Sequence, residues 1–314
     1  MILMLSVIIP AYNEEKMIRK AAGEVSWHLK EAEIEYEIIF IDDGSKDRTW
    51  ETICRLSEES DKIRGIAFSR NFGKESAIFA GLDKAQGDCV AVMDSDLQHP
   101  PEKLVEMYHL WQQGYEVIEG VKESRGEESP WHAFGARCFY KLMGKAIHMD
   151  MSKASDFKLL DRKAVNVLLN MQEKQAFLRA LSSWIGFTTA SVQFEVQERE
   201  CGESKWSTWA LVKYAVSNLA SFSAAPMQIV TILGGIMLFF SLILGGIALV
   251  QKFQGVALEG FTTVIIIQLF TGSMIMISLG IIGYYIAKIY EEIKGRPRYI
   301  IAKQCGKMKK GELL

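Results

Sequence analysis

The stretch Cys89–Pro101, CVAVMDSDLQHPP, decides how the rest of the chain is read. Cys89–Met93 is a short apolar run of strand type. It ends abruptly on Asp94-Ser95-Asp96, and the paired prolines Pro100 and Pro101 suit the start of a helix, predicted over Glu102–Gln113. A buried strand that runs into carboxylates and then a helix is half of a βαβ unit. The same pattern repeats on both sides. Strands are predicted at Leu5–Pro10, Glu37–Ile41, Ile63–Phe68 and Glu116–Gly120, with helices between them at Glu15–Glu31, Thr49–Ser57 and Ser76–Lys84. Such alternation predicts an α/β fold with a mostly parallel sheet covered on both faces, whose ligands bind at the carboxyl ends of the strands. Three of those ends are polar: Pro10–Glu14, Asp42–Ser45 and Asp94–Asp96.

No GxGxxG follows the first strand and no GxxxxGK[ST] occurs, which weakens a dinucleotide oxidoreductase and a P-loop NTPase. Asp94 and Asp96 can converge on one hard cation, Mg²⁺ or Mn²⁺, that clamps a diphosphate, and Gln98 can offer a third oxygen. Taken alone the Asp-x-Asp pattern fits a solvated loop or helix cap equally well. Asp42-Asp43-Gly44-Ser45 by itself reads as a plain turn, with a ribose or base contact as the alternative.

The chain has 314 residues, 49% of them hydrophobic and 24% charged, with a net charge of −2. The balance excludes disorder and gives no electrostatic footprint for nucleic acid. Mean hydropathy is +0.08, an average over an uneven distribution. Ile229–Val250 and Thr262–Ala287 carry no charge, and each is long enough to span a hydrocarbon core of about 30 Å. The short connection Gln251–Phe261 predicts an antiparallel transmembrane hairpin. Thr208–Phe222 reads as an interfacial helix, with Trp206 and Trp209 at headgroup depth. The tail after Ala287 is basic (Lys288, Lys294, Arg296, Arg298, Lys303, Lys307, Lys309, Lys310). It therefore belongs in the cytoplasm, and a two-span hairpin puts the N-terminal part there too. The opening MILMLSVIIP is not of signal-peptide type. The predicted organisation is a catalytic domain over 1–205, a juxtamembrane helix over 206–226, two spans within 227–287 and a tail over 288–314. The five cysteines (54, 89, 138, 201, 305) show no CxxC spacing, so free thiols are expected, and the histidines offer no zinc pattern.

VIIPAYNEE (7–15), IDDGSKDRT (41–49), SRNFGKESA (69–77) and VMDSDLQHPP (92–101), in this order, resemble family 2 glycosyltransferases of the GT-A fold. ASDFKLLDR (154–162), FLRALSSWIGF (177–187), ERECGESKW (198–206) and KGRPRYI (294–300) narrow the resemblance to polyprenyl-phosphate glycosyltransferases, bactoprenol glucosyltransferases first and dolichol-phosphate mannose synthase more distantly. The resemblance implies that Pro10, Tyr12 and Glu14 line the nucleoside pocket and that Asp42 contacts the base. Asp94 and Asp96 would flank the donor diphosphate, with Asp96 and Gln98 on the metal. Asp156 stands at the position usually called the catalytic base. Arg199, Ser204 and Lys205 would reach phosphate near the membrane. Lys122 stands where such enzymes carry Arg, losing bidentate geometry, and Arg125 would cover that role. Ser95 and Trp206 replace the commoner Ala and Tyr.

The implied reaction is attack of a polyprenyl phosphate oxygen on the anomeric carbon of a nucleotide-sugar, UDP-glucose above UDP-GlcNAc or GDP-mannose, with inversion. An acceptor monoester is mostly dianionic at pH 7, so Asp156 is expected to position substrate more than to remove a proton. Implied partners are the nucleotide-sugar, the lipid phosphate, the bilayer, a second copy of the chain, a flippase and a downstream glycosyltransferase. The rivals are a processive polysaccharide synthase, which needs more spans and a QxxRW motif absent here, and a non-catalytic membrane scaffold, which has no need of carboxylates at 42, 94, 96 and 156.

Overall fold

The computed structural model describes residues 3–122, 155–171, 177–195, 225–254 and 260–307. The chain divides into two units, Met1–Thr208 with Pro297–Leu314, and Trp209–Arg296.

The first unit is built on an eight-stranded sheet of order β7-β5-β6-β4-β1-β2-β3-β8. Strands β1 (Met4–Ala11), β2 (Glu35–Asp42), β3 (Ile63–Phe68) and β4 (Cys89–Val92) form its parallel half. Their side chains are almost all buried, as strands covered on both faces require. Helices α1 (Ile18–Glu31), α2 (Thr49–Glu59), α3 (Lys74–Lys84) and α4 (Lys103–Gln112) provide the cover. In α1 the core stripe is Ile18, Ala21, Ala22, Val25 and Leu29, at helical spacing.

Helix α1 starts at Ile18, three residues later than the sequence suggests. The backbone N–H groups of Asn13, Glu14 and Glu15 donate to the side chains of Ser45 (2.9 Å), Thr49 (2.9 Å) and Asp47 (3.2 Å) instead of opening a helix. These three bonds stitch the loop after β1 to the loop after β2.

Strand order reverses between β1 and β4, because the chain runs outward through β2 and β3 before returning to the other side of β1. That places the ends of β1 and β4 at the topological switch point of the sheet. Beyond β4 the sheet is mixed. Strand β6 (Lys158–Asp161) lies antiparallel between β4 and β5 (Val117–Lys122), and β5 pairs in parallel with β7 (Thr189–Phe194). Because β6 is antiparallel, its first residue Lys158 pairs with Val92 at the far end of β4. The residues just before β6, Asp156 among them, thus arrive where Asp94 leaves β4.

Neither β6 nor β7 is apparent from the sequence pattern, and the segment read as a basic tail contains a strand as well. Strand β8 (Ile301–Cys305) runs antiparallel to β3 and closes that edge of the sheet. Close approach is possible because Gly65 faces Cys305: a Cβ there would lie 2.7 Å from the Cys305 Sγ and 2.4 Å from Ile53. Just before β8, Tyr299 stacks on Phe68 with ring centroids 5.1 Å apart and the Arg298 guanidinium lies 4.7 Å from the Phe79 ring. Helices α5 (Arg162–Asn170) and α6 (Leu178–Trp184) complete the described part of this unit. Cys54, Cys89 and Cys305 are free thiols, and burial pushes the Cys54 thiol up to about 12.

The second unit contains α7 (Ala225–Phe253) and α8 (Phe261–Ile293), both longer than the apolar runs that signal them. In α8, Phe270–Ile293 is long and apolar enough to cross a membrane. In α7 the apolar run is shorter, Val230–Leu244, so among the described residues one helix rather than two meets the full length.

Candidate active site

The site is assembled from loops at the carboxyl ends of β1, β2, β3 and β4 and from the start of β6. The loop after β4 alternates: Ser95, Leu97 and His99 are buried, while Asp94, Asp96 and Gln98 keep partial access to solvent. Leu97 adopts φ 57°, a left-handed backbone unusual for a branched apolar residue. The Gln98 N–H donates to Asp96 (3.1 Å), closing a tight turn. His99 holds this turn from below. Its Nδ1 accepts the Asp94 N–H at 3.2 Å, and its ring stacks on Phe157 (centroids 4.9 Å apart, 6° between planes). Burial lowers the His99 pKa, so the ring is neutral at pH 7, with its proton on Nε2 assigned from the hydrogen bond.

Asp156, 5% exposed, sits at the centre. Arg179 at the start of α6 grips it with a fork: Nε donates to Oδ1 at 2.6 Å and Nη2 to Oδ2 at 2.7 Å. The Lys74 ammonium donates to the same Oδ2 at 2.9 Å and lies 2.5 Å from Oδ1 of Asp94. Burial would raise both carboxyls, but the two cations outweigh it for Asp156 and Lys74 does so for Asp94. Both are held below the usual carboxylate range, Asp156 far below. Lys122, the last residue of β5, lies in the field of Asp94, Asp96 and Asp156. Glu75, next to Lys74, accepts the Leu178 N–H at 3.1 Å and so ties α3 to α6. Burial, with the charge of Asp156 added, raises its carboxyl to about 7.

The expected donor-side residues lie at the adjacent ends of β1 and β2, where Ala11 pairs with Asp42. Pro10 is buried in β1 beside Ile41, Tyr12 follows β1 with 36% exposure, and Glu14 is half-buried. Asp42 is buried at the end of β2, and its Oδ1 accepts the Ser45 N–H at 2.9 Å, the turn contact that the DDGS motif suggests on its own. Arg125, Arg199, Ser204 and Lys205 lie outside the described residues, as do Trp206, Trp209 and the interfacial helix expected at 208–222.

Four residues that the sequence reading gave no role belong to this site. Lys74 and Glu75 stand inside SRNFGKESA and Arg179 inside FLRALSSWIGF, so the motifs point to the right segments without naming the working side chains. Asp43 is the fourth. It accepts the N–H of Phe72 (2.6 Å) and of Gly73 (2.9 Å), fixing the turn that launches α3 at Lys74.

The donor set fits a divalent cation of the hard kind. Asp94, Asp96 and Gln98 offer oxygens on one partly exposed turn. No cluster of three or more His, Cys, Asp or Glu able to hold a metal occurs among the described residues. An ion such as Mg²⁺ or Mn²⁺ takes one or two carboxylates from protein and the remainder of its shell from phosphate and water.

The profile of Glycosyl transferase family 2 matches residues 6–168. An uncharacterized glycosyltransferase of Synechocystis is 36% identical over 96% of this chain and 96% of its own length. A prophage-derived bactoprenol glucosyl transferase of Shigella flexneri is 34% identical over 95% of this chain and 97% of its own. Among solved structures, glucosyl-3-phosphoglycerate synthase from Mycobacterium tuberculosis overlays with a TM-score of 0.48 at 19% identity, covering 70% of this chain and 79% of that chain.

Proposed function

Because the chain belongs to glycosyl transferase family 2, we propose that it moves a hexose from a nucleotide-sugar to a polyprenyl phosphate, with UDP-glucose as donor and inversion at the anomeric carbon. The observation that carries this reading is the Asp94–Lys74–Asp156–Arg179 chain of charges at the switch point of the sheet. It brings Asp94 and Asp156 within reach of one ammonium, which supports a diphosphate-side role for the first and an acceptor-side role for the second.

A divalent ion bound by Asp94, Asp96 and Gln98 would neutralise charge on the leaving nucleoside diphosphate. Pro10, Tyr12, Glu14 and Asp42 bind and orient the nucleoside. Asp156 is held ionised by Arg179 and Lys74, which makes it a poor proton acceptor near neutral pH. Its work is to orient the incoming phosphate or the sugar hydroxyls. The acceptor phosphate, already largely dianionic at pH 7, supplies its own nucleophilic oxygen. Lys122, together with Arg125, Arg199, Ser204 and Lys205, meets that phosphate. One C–O bond forms at the anomeric carbon as the bond to the diphosphate oxygen breaks, so an α-linked donor yields a β-linked lipid product.

A parity argument supports the membrane arrangement we propose. Strand β8 comes after α8 and pairs with β3, which comes before α7, so the chain returns to the side it left. This pairing supports an even number of crossings between them. With α8 long enough to cross, an even count favours a second crossing by α7, a hairpin with the catalytic unit and the basic tail both on the cytoplasmic face.

The test is the full chain in lipid nanodiscs with undecaprenyl phosphate and UDP-glucose, UDP-GlcNAc or GDP-mannose. Transfer to the lipid from one of these is the expected result. Transfer from none, with the protein folded, overturns the reading.

A further inference from the structure

Asp94 and Asp156 approach each other from different strands, and one ammonium lies between them. Their situations differ. Asp156 keeps a two-pronged grip from Arg179 whatever Lys74 does, whereas the ion pair that Asp94 makes among the described residues is the one with Lys74. The position of Lys74 is set by main chain: Asp43 holds the N–H groups of Phe72 and Gly73, Gly73 turns with φ 97°, and α3 begins at the next residue. The side chain itself is 40% exposed. A four-carbon stem carrying a point charge can move to another anion without disturbing the helix.

A divalent cation approaching Asp94 therefore meets an ammonium already 2.5 Å from the same carboxylate. Repulsion between the two cations opposes binding. A nucleoside diphosphate arriving with the cation brings the negative charge that relieves it. Resting on the donor-site reading above, we propose that Lys74 is a resident counter-charge: it occupies Asp94 while the site is empty, yields that carboxylate to the divalent cation, and so makes cation binding conditional on the nucleotide.

The test measures Mn²⁺ affinity of the full chain by electron paramagnetic resonance, with and without UDP, after correction for Mn²⁺–UDP complex in solution. In the wild type UDP should strengthen Mn²⁺ binding by about tenfold or more, within the usual range of coupling between two sites. Lys74→Gln should bind Mn²⁺ alone about tenfold more tightly than wild type and lose that much of the enhancement by UDP. Lys74→Arg, which keeps the charge, should keep the wild-type pattern. Equal Mn²⁺ affinity with and without UDP in the wild type overturns the proposal whether or not the variants fold. So does a folded Lys74→Gln whose affinity and coupling are unchanged, since a merely structural lysine would shift thermal stability alone. Absence of Mn²⁺ binding under every condition overturns the donor-site reading and this inference with it, and so differs from the two preceding outcomes.

Discussion

Arg179 reaches Asp156 with two parallel hydrogen bonds, 2.6 and 2.7 Å long, from Nε and Nη2 to the two carboxylate oxygens. A fork of this kind fixes orientation as well as charge. With its pKa held far below the usual range, Asp156 stays ionised from pH 8 down past pH 5 and contributes no acid limb to the rate there. Replacing Arg179 with Gln removes one of the two cations and raises that pKa. The acid limb of the kcat–pH profile should then move upward, and kcat at pH 7 should fall by about tenfold or more as the carboxylate loses its orientation. A profile that is unshifted in Arg179→Gln would contradict the assigned role.

Glu75 carries a pKa raised to about 7. A raised carboxyl costs stability where it must ionise: its contribution is complete below the unfolded value near 4.5 and is lost as pH rises through 7. Glu75→Gln keeps an oxygen for the Leu178 N–H and removes the charge. Its Tm should exceed that of wild type at pH 8, with the gap closing as the pH is lowered to 5. Thermal melts at the two pH values check this.

Across the sheet, Lys158 of β6 is fully buried and pairs with Glu119 of β5, directly opposite it in register. Burial lowers the lysine's pKa while Glu119 opposes the shift. Glu119→Gln leaves a buried ammonium without its counter-charge, which typically costs about 3–5 kcal/mol. Because β6 delivers Asp156, the loss should appear as lower urea resistance accompanied by lower activity. Glu119→Gln paired with Lys158→Met should recover much of the stability. If the single variant unfolds at the wild-type urea midpoint, the pair contributes nothing.

Gly44 turns the DDGS loop with φ +70°, and a Cβ there would meet the Arg70 carbonyl carbon at 2.5 Å and the Asn71 nitrogen at 2.8 Å. Gly44→Ala strains both the backbone angle and the neighbouring loop, the one that leads to Lys74. A loss of about 1–3 kcal/mol is expected, with weaker UDP binding measured by calorimetry.

The parallel half of the sheet is legible in the sequence because its strands are buried on both faces and read as mostly apolar, β-branched runs, in which the exceptions Glu37 and Arg64 pair with each other. The strand expected at Ile63–Phe68 has the observed bounds. Strands β6 and β7 are hidden for opposite reasons. Lys158 interrupts the apolar pattern of β6 with a charge that is satisfied only by Glu119, a partner far away in the chain. Strand β7 alternates exposed and buried residues through a polar stretch, TASVQF. The carboxylates of the site are legible because their types are diagnostic. The cations that control them are not, since Lys74 and Arg179 look like ordinary surface residues until α3 and α6 turn them toward Asp156. For the same reason Asp43, beside the expected Asp42, could not be assigned its part in holding the 72–73 turn from composition or spacing.

The edge strand β8 has a consequence for how the protein is made. Its residues leave the ribosome after both apolar helices, yet its partner β3 emerges among the first seventy residues. During synthesis β3 must wait with one row of backbone donors and acceptors unmatched while more than two hundred further residues are added. The catalytic sheet is thus finished at its β3 edge by a strand made after every other strand of the sheet. Closure of this edge of the sheet therefore comes last in synthesis, after both apolar helices have left the ribosome.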